Sequence, residues 1–365
     1  MDQQFFMPTR IIMGENSVLE NYSVFAQMGK KALIVTGFSS AKKNGSLNDV
    51  TQALSKNNQT WSIYDKVMSN PTIECVYEGA SFARAEKADF IIAIGGGSPM
   101  DAAKAISLLA CQDIPREELF SGKYGTQILP MIFIPTTAGT GSEVTQASVL
   151  TDHEKQTKIS ISSPLMFPRI AILDAKYMKN LSRDITINTA VDALTHAVEG
   201  MLSRRANPIT DAIASESISM ISSCFEGLLS FNLSEKDRQN LLYASTLAGM
   251  VITNTGTAAV HSMGYSLTYY KNIDHGRANG LLIVEYLRFM EGHSAKIKQI
   301  LTCMGMKNLD ELKNILDKLL GKKEPITIEE INKFTEKAIL AKNIKNSVPN
   351  PEKEDVFNIY KLSLS

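Results

Sequence analysis

The sequence predicts an α/β N-terminal domain built on a parallel sheet, followed by an all-α C-terminal helical domain. Three observations carry this expectation. Short β-branched runs alternate with helical patterns up to about residue 175, glycine clusters follow two of those runs, and long segments of helical apolar periodicity take over beyond them. At 365 residues the chain exceeds the roughly 250 to 300 residues at which single cores stop growing. Two domains are therefore expected, residues 1–178 and 179–365, with "AKYMKNLSRDITINTA" (175–190) as the boundary.

The strand expectations rest on "KALIVTG", "DFIIAIGGGS", "MIFIPTT" and "RIAILD", each an apolar run ending at a turn-forming or polar residue. Near-continuous apolar strands suit a sheet covered on both faces by helices. Further along, "INTAVDALTHAVEGMLSR", "ITDAIASESISMISSCFEGLLSF" and "LDELKNILDKLL" read as helices. The tail from Lys345 reads as a loop and a closing helix, started by Asn350-Pro351 and acidic residues in the first turn.

Composition narrows the function classes. Hydrophobic residues make up 44% and charged residues 21%, the balance of an ordinary globular protein. Lys plus Arg and Asp plus Glu stand at 38 each, which removes the electrostatic argument for a nucleic-acid or acidic-membrane partner. Cys75, Cys111, Cys224 and Cys303 form no C-x-x-C pair, so a reducing cytoplasm fits better than a disulfide framework or a zinc knuckle. The start, "MDQQFFMPTR", lacks a basic region followed by an apolar core, and no segment has roughly eighteen uninterrupted apolar residues. Secretion and membrane insertion are not expected.

The run "IIAIGGGSPMDAAKAISLLA" is a strand, three glycines and a helix. Gly95, Gly96 and Gly97 let backbone N–H groups approach a bulky anion, and the helix N-terminus adds partial positive charge. Ser98 reads as the N-cap, Pro99 as the first helical residue and Asp101 as the partner at capping-box spacing. Three consecutive glycines exceed what a tight turn requires. The pattern is not G-x-G-x-x-G, and it follows a later strand, so an ordinary Rossmann site fits poorly. A second element, "PTTAGTGSEVT", follows the strand "MIFI" and offers hydroxyls on Thr136, Thr137, Thr140 and Ser142 with Gly139 and Gly141 clearing space. Two glycine-rich ends on neighbouring parallel strands describe one nucleotide crevice.

In "INTAVDALTHAVEG", Asp192 and His196 are four apart on one helix face, spaced to share a metal, though the same pair also suits a solvated or capping role. The stretch "VHSMGYSLTYYKNIDHGRAN" carries His261 and His275 among Tyr265, Tyr269 and Tyr270. One carboxylate and three imidazoles suit Fe(II) or Zn(II) in a site left open for a substrate oxygen. His153 and His293 read as surface histidines.

"GGGSPMDAAK", "PTTAGTGSEVT", "VDALTHAVEG" and "HSMGYSLTYYKNIDHGRANG" together resemble the motifs of the iron-containing (group III) alcohol dehydrogenase family, in order. The resemblance runs from "MPTRIIMG" to "NPEKEDVFNIYKLSL". It implies a dehydroquinate synthase-like architecture, a dinucleotide-binding α/β domain followed by a helical metal-binding domain. The implied metal ligands are Asp192, His196, His261 and His275, holding Fe(2+), with Zn(2+) or Ni(2+) as other occupants. For NADP or NAD it implies Gly96, Gly97 and Ser98 at the pyrophosphate, and Asn70, Asp101, Thr136, Thr137, Thr140 and Lys158 around the dinucleotide. Many members read H-x-x-x-H in the third metal motif, the second histidine serving in proton relay, and here that position is Tyr265.

The expected protein is an NAD(P)-dependent enzyme interconverting a small primary alcohol and its aldehyde, with Tyr265 and His275 at the reacting centre and a homodimer in the cytoplasm. NADP(H) is favoured because Gly37 stands where NAD-preferring relatives often carry Asp, with Ser39 and Ser40 as donors and Lys42 and Lys43 nearby. Other readings share parts of the pattern. A glycerol dehydrogenase-like enzyme or a hydroxy-acid (semialdehyde) dehydrogenase keeps the fold, a metal-dependent phosphohydrolase uses the same residues to activate water, and a ligand sensor keeps the site without turnover.

Overall fold

The computed structural model describes residues 3–364. Its strands are β1 (Arg10–Met13), β2 (Lys31–Gly37), β3 (Thr60–Val67), β4 (Phe90–Gly95), β5 (Met131–Pro135), β6 (Ala147–Asp152), β7 (Thr157–Ser162) and β8 (Ile170–Leu173). Six of them form one sheet in the order β1-β8-β5-β4-β2-β3, parallel at every pairing, while β6 and β7 pair antiparallel with each other. The first helices are α1 (Ser17–Glu20), α2 (Ser40–Lys43), α3 (Ser46–Lys56), α4 (Ile73–Ala85) and α5 (Gly97–Cys111).

Side-chain alternation along the central strands builds two cores. Ile34, Ile92 and Ile134 point to one face, with Phe25, Val50 and Leu54 packed there. Their neighbours Leu33, Ile91 and Phe133 point to the other, against Val76, Ala80 and Ile106. Both faces being covered is why β2, β4 and β5 read as unbroken apolar runs.

The edges are different. β1 and β3 lie at the two ends of the sheet and carry mixed, partly exposed residues, "RIIM" and "TWSIYDKV". Neither is expected from apolar runs alone, nor is the β6–β7 hairpin.

The chain separates into two compact units, one comprising Met7–Thr137 and Ser142–Asn180, the other holding the chain from Leu181 onward together with Ala138–Gly141. The second is helical: α6 (Arg183–Leu202), α7 (Pro208–Ser222), α8 (Phe225–Ser230), α9 (Glu235–Thr255), α10 (Ala259–Lys271), α11 (His275–Glu291), α12 (Lys296–Met304), α13 (Leu309–Leu320), α14 (Ile328–Ile339) and α15 (Lys353–Leu364). Local chemistry sets several starts. The Ser182 hydroxyl accepts from the Ile185 N–H, and Asn207 forms a capping box with Thr210 behind Pro208. The segment read as one helix from residue 209 breaks at Ser223 and Cys224 into α7 and α8. The closing helix stands as expected in α15. Among the described residues, no helix is long and apolar enough to cross a membrane.

Candidate metal centre and dinucleotide loops

Helix α6 is buried on nearly every side, so any polar residue inside it must be satisfied by a neighbour. Asp192 is such a residue. Its Oδ1 lies 3.7 Å from His261 Nε2 on α10 and 3.9 Å from His275 Nε2 at the start of α11. Asp192, His261 and His275 each offer a ligand atom within 4.8 Å of the others. His196, one turn along α6, stacks its ring on His261 at 4.5 Å and sets Nδ1 3.3 Å from the Gly139 carbonyl. It stands outside the group of three.

Glycines allow this convergence. A Cβ on Gly276 would lie 1.9 Å from the Asn188 carbonyl oxygen of α6, and one on Gly264 of α10 would lie 2.1 Å from Asn279 Oδ1 of α11. At Gly276 the backbones of α6 and α11 approach too closely for any side chain, and at Gly264 the space is filled by the Asn279 amide. Asp274, ahead of α11, is fixed by a 2.9 Å hydrogen bond from Asn188 Nδ2.

The electrostatics follow from burial and charge together. Burial would raise Asp192, but His196, His275 and His261 outweigh it and hold the carboxyl well below the usual range. His196 is pushed down by burial, with Asp192 opposing. His261 would also be lowered by burial, yet Glu199 and Asp192 raise it to about 9.

Two residues at this centre lie outside the ligand set that the sequence suggests. Glu199, fully buried on α6, contacts His261 Nδ1, and Asn279 of α11 sends Nδ2 to Asp192 Oδ1 at 3.0 Å, His261 Nε2 at 3.1 Å and His275 Nε2 at 3.4 Å. Both are visible as spacings: Glu199 continues the Asp192, His196 face at i+7, and Asn279 lies four after His275. Three lone-pair atoms converging on one point, beside the buried and unpartnered Asn279 Oδ1, form a donor set that fits a divalent cation of intermediate softness.

In the α/β unit, the chain reverses direction across the sheet between β2 and β4, the place where such sheets bind ligands at their carboxyl ends. Gly37 ends β2 there, followed by the exposed Ser39 and Ser40. β4 and β5 are parallel neighbours, with Gly95 opposite Pro135 and the Thr136 N–H donating to the Gly95 carbonyl at 2.9 Å. Gly96 abuts Thr137, whose Oγ1 would sit 2.8 Å from a Cβ at that position. The glycine-rich turn differs from expectation in one respect. Helix α5 begins at Gly97 with Gly96 as its cap, so Ser98 is inside the helix and its hydroxyl accepts from the Asn70 N–H at 3.1 Å. Asp101 closes no capping box; it accepts from Ser142 Oγ at 2.7 Å and the Val149 N–H at 3.1 Å. Asn70 takes φ 58°, and its side-chain oxygen accepts from Lys158 Nζ at 2.7 Å. Ser98, Asn70 and Lys158 are thus brought together. Thr140 falls in the stretch Ala138–Gly141, which belongs to the helical unit.

Residues 8–175 match the family described as "Iron-containing alcohol dehydrogenase", and residues 186–364 match "Fe-containing alcohol dehydrogenase family, C-terminal". The chain belongs to the iron-containing alcohol dehydrogenase family. It is 36% identical over 295 residues to lactaldehyde reductase of Escherichia coli K12, covering 78% of this chain and 76% of that protein. To the NADPH-dependent butanol dehydrogenase of Clostridium saccharobutylicum it is 32% identical over 345 residues, 90% of this chain and 86% of that one. The crystal structure of an iron-containing alcohol dehydrogenase from Thermotoga maritima superposes with a TM-score of 0.92 at 39% identity, over 100% of this chain and 99% of that one.

The protein is therefore an NAD(P)-dependent alcohol dehydrogenase and aldehyde reductase of the iron-containing type, and family membership sets the phosphohydrolase and sensor readings aside. Within this dehydrogenase Tyr265 lies flat against His275, ring centroids 5.6 Å apart and planes at 12°. His153 and His293 are exposed.

Proposed function

We propose that this dehydrogenase reduces small aliphatic aldehydes with NADPH at an Fe(II) centre held by Asp192, His196, His261 and His275. The observation that carries it is the convergence of Asp192, His261 and His275 to within 4.8 Å; His196, its ring stacked on His261 at 4.5 Å, is the fourth ligand of the proposal. When bound, the ion supplies Lewis-acid polarisation of a carbonyl, and the nicotinamide supplies the hydride. Asp192 contributes the negative charge and the histidines neutral nitrogens, a set that also accepts Zn(II) or Ni(II). In the α/β unit, Gly96, Gly97 and Ser98 seat the pyrophosphate, and Asn70, Asp101, Thr136, Thr137 and Lys158 surround the dinucleotide. Enzyme reconstituted with Fe(II), mixed with NADPH and a panel of short aldehydes and hydroxy acids, should oxidise the reduced cofactor fastest with an aldehyde. No aldehyde-dependent loss of NADPH absorbance would refute the assignment.

The preference for NADP(H) is supported by what ends β2. Gly37 carries no carboxylate to repel a 2′-phosphate, and Ser39, Ser40 and Lys43 are exposed beside it. Lys42 is engaged elsewhere, bridging Asp65 on β3 at 2.8 Å, so Lys43 is the freer source of positive charge. Gly37→Asp is a clean test, because a Cβ there would meet the Val67 carbonyl oxygen at 3.4 Å and Ser40 Oγ at 3.8 Å, both ordinary contacts. The ratio of kcat/KM for NADPH over NADH should fall by about tenfold or more, the effect of about 1.4 kcal/mol. An unchanged ratio would count against the reading.

Tyr265 takes the place of the second histidine of the third metal motif. Its stacking on His275 supports a double role: the ring holds His275 in place and the hydroxyl donates toward the substrate oxygen, and the ribose hydroxyls of a bound cofactor would supply the proton path that the missing histidine does not. Tyr265→Phe keeps the ring. Turnover should fall by about fivefold, the scale of one neutral hydrogen bond of about 1 kcal/mol, with metal content unchanged. Wild-type rates across the pH range would leave packing as the whole explanation.

A homodimer formed through the N-terminal strand region completes the proposal, in the cytoplasm. β1 is an edge strand with Met13 58% exposed, a surface on which a second copy can continue the sheet.

A further inference from the structure

The wall of α6 that carries Asp192 and His196 carries a third polar residue with no place in the ligand set. Glu199 is 0% exposed. A buried carboxylate is tolerated only where its oxygens are fully engaged, and both are engaged by one short piece of chain. Oε1 accepts the Val260 N–H at 2.6 Å and the His261 N–H at 3.3 Å, while Oε2 meets Nδ1 of the His261 ring. Helix α10 begins there with Ala258 at its cap, which offers no side-chain acceptor; the Ala259 N–H donates to Ser347 Oγ at 3.3 Å, and the next two N–H groups, of Val260 and His261, depend on a carboxylate from another helix.

The same contact decides the imidazole's tautomer. A carboxylate accepts only, so Nδ1 must carry the hydrogen, and the lone pair is left on Nε2, the atom that faces Asp192 Oδ1 and Asn279 Nδ2. We infer that Glu199 is a positioning residue of this enzyme, one that fixes the start of α10 and the Nδ1–H form of His261, so that Nε2 is presented as a metal donor. The inference rests on the reading of Asp192, His196, His261 and His275 as ligands.

The test is Co(II) affinity, measured on metal-stripped protein by competition with a chromophoric chelator. Glu199→Gln keeps the shape and an oxygen for the backbone N–H groups, but its amide N–H₂ faces Nδ1 and favours the opposite tautomer. The dissociation constant for Co(II) should rise by about tenfold or more, the usual cost of losing an outer partner of a metal-bound histidine. The visible absorption of bound Co(II) should change with it, while NADPH affinity and the melting temperature of the stripped protein hold. A smaller rise, with the spectrum intact, overturns the inference. Should Glu199→Gln not fold, Glu199→Asp withdraws the carboxylate by one methylene, and Co(II) binding equal to wild type in that variant overturns it equally. Wild-type protein that binds no Co(II), or a His261→Ala variant that binds it fully, would instead remove the ligand reading on which the inference stands.

Discussion

His261→Ala is expected to lose the metal, and turnover with it, while NADPH still binds. The side chain is the most connected at the centre: Nε2 is 3.7 Å from Asp192 Oδ1 and 3.1 Å from Asn279 Nδ2, Nδ1 meets Glu199, and the ring stacks on His196 at 4.5 Å. Removing it deletes a donor and also unseats its neighbours. Metal affinity should therefore drop by more than the roughly 10- to 100-fold typical of losing an outer partner. The residues proposed for the pyrophosphate lie in the other compact unit, at the cap and first turn of α5, where the Ser98 hydroxyl accepts from Asn70 rather than from His261. Cofactor binding should be within about twofold of wild type, an effect under 0.5 kcal/mol. Metal analysis, steady-state assays and fluorescence titration with NADPH on the same preparation decide the matter. A variant that keeps its metal, or that turns over after exhaustive chelation, would remove His261 from the ligand set.

The central strands and the metal motif are legible in the sequence because burial on both sides writes an unambiguous pattern. β2, β4 and β5 have no solvent face, so nothing polar interrupts "ALIV", "FIIAI" or "MIFI". Edge strands have no such signature. β3 mixes Thr60, Ser62, Asp65 and Lys66 with apolar residues because an edge strand is only partly covered, and β1 has only four residues in which to declare itself. The β6–β7 hairpin turns through residues 153–156, where Gln156 takes φ 51° without the Asn-Gly or Asp-Gly pair that marks a tight hairpin. Local chemistry puts the N-cap of α5 at Ser98 because serine is the better cap. The glycines let the helix start two residues earlier, which frees the Ser98 hydroxyl for Asn70. That trade depends on a partner 28 residues away and cannot be read locally.

Glu199 and Asn279 are hard to see in the sequence for a related reason. Metal ligands announce themselves as imidazoles with an accompanying carboxylate, and four such residues already complete a site. The residues that orient those ligands share their helix faces and are chemically ordinary. What marks them is context: a glutamate in "HAVEGML", inside a helix with no solvent face, needs a partner that its own helix cannot provide.

Gly276→Ala should be nearly as damaging as loss of a ligand, although it removes no functional atom. Alanine in a helix is intrinsically better than glycine by about 1 kcal/mol, so on α11 considered alone the substitution should stabilise. Against that, the new Cβ would lie 1.9 Å from the backbone oxygen of Asn188 and 2.9 Å from Asp192 Cβ, and a backbone oxygen on a buried helix has no rotamer by which to yield. Real contacts of that kind stay beyond 3.0 Å, so α11 must move away from α6 by more than an ångström. Overpacking of this sort costs about 1 to 3 kcal/mol, more than the propensity gain over most of its range. The larger consequence is geometric. His275 precedes Gly276 and Asp192 lies under it, so the shift separates two of the three converging donors, where a site tolerates about 0.5 Å of misplacement. Metal content and melting temperature should both fall. Gly292→Ala, at the other end of α11 with nothing within 4 Å of the added carbon, should leave both unchanged. If Gly276→Ala bound metal as tightly as wild type, the close approach of α6 and α11 would be a packing detail, and the donors would owe their convergence to the carboxylates and amide that connect them.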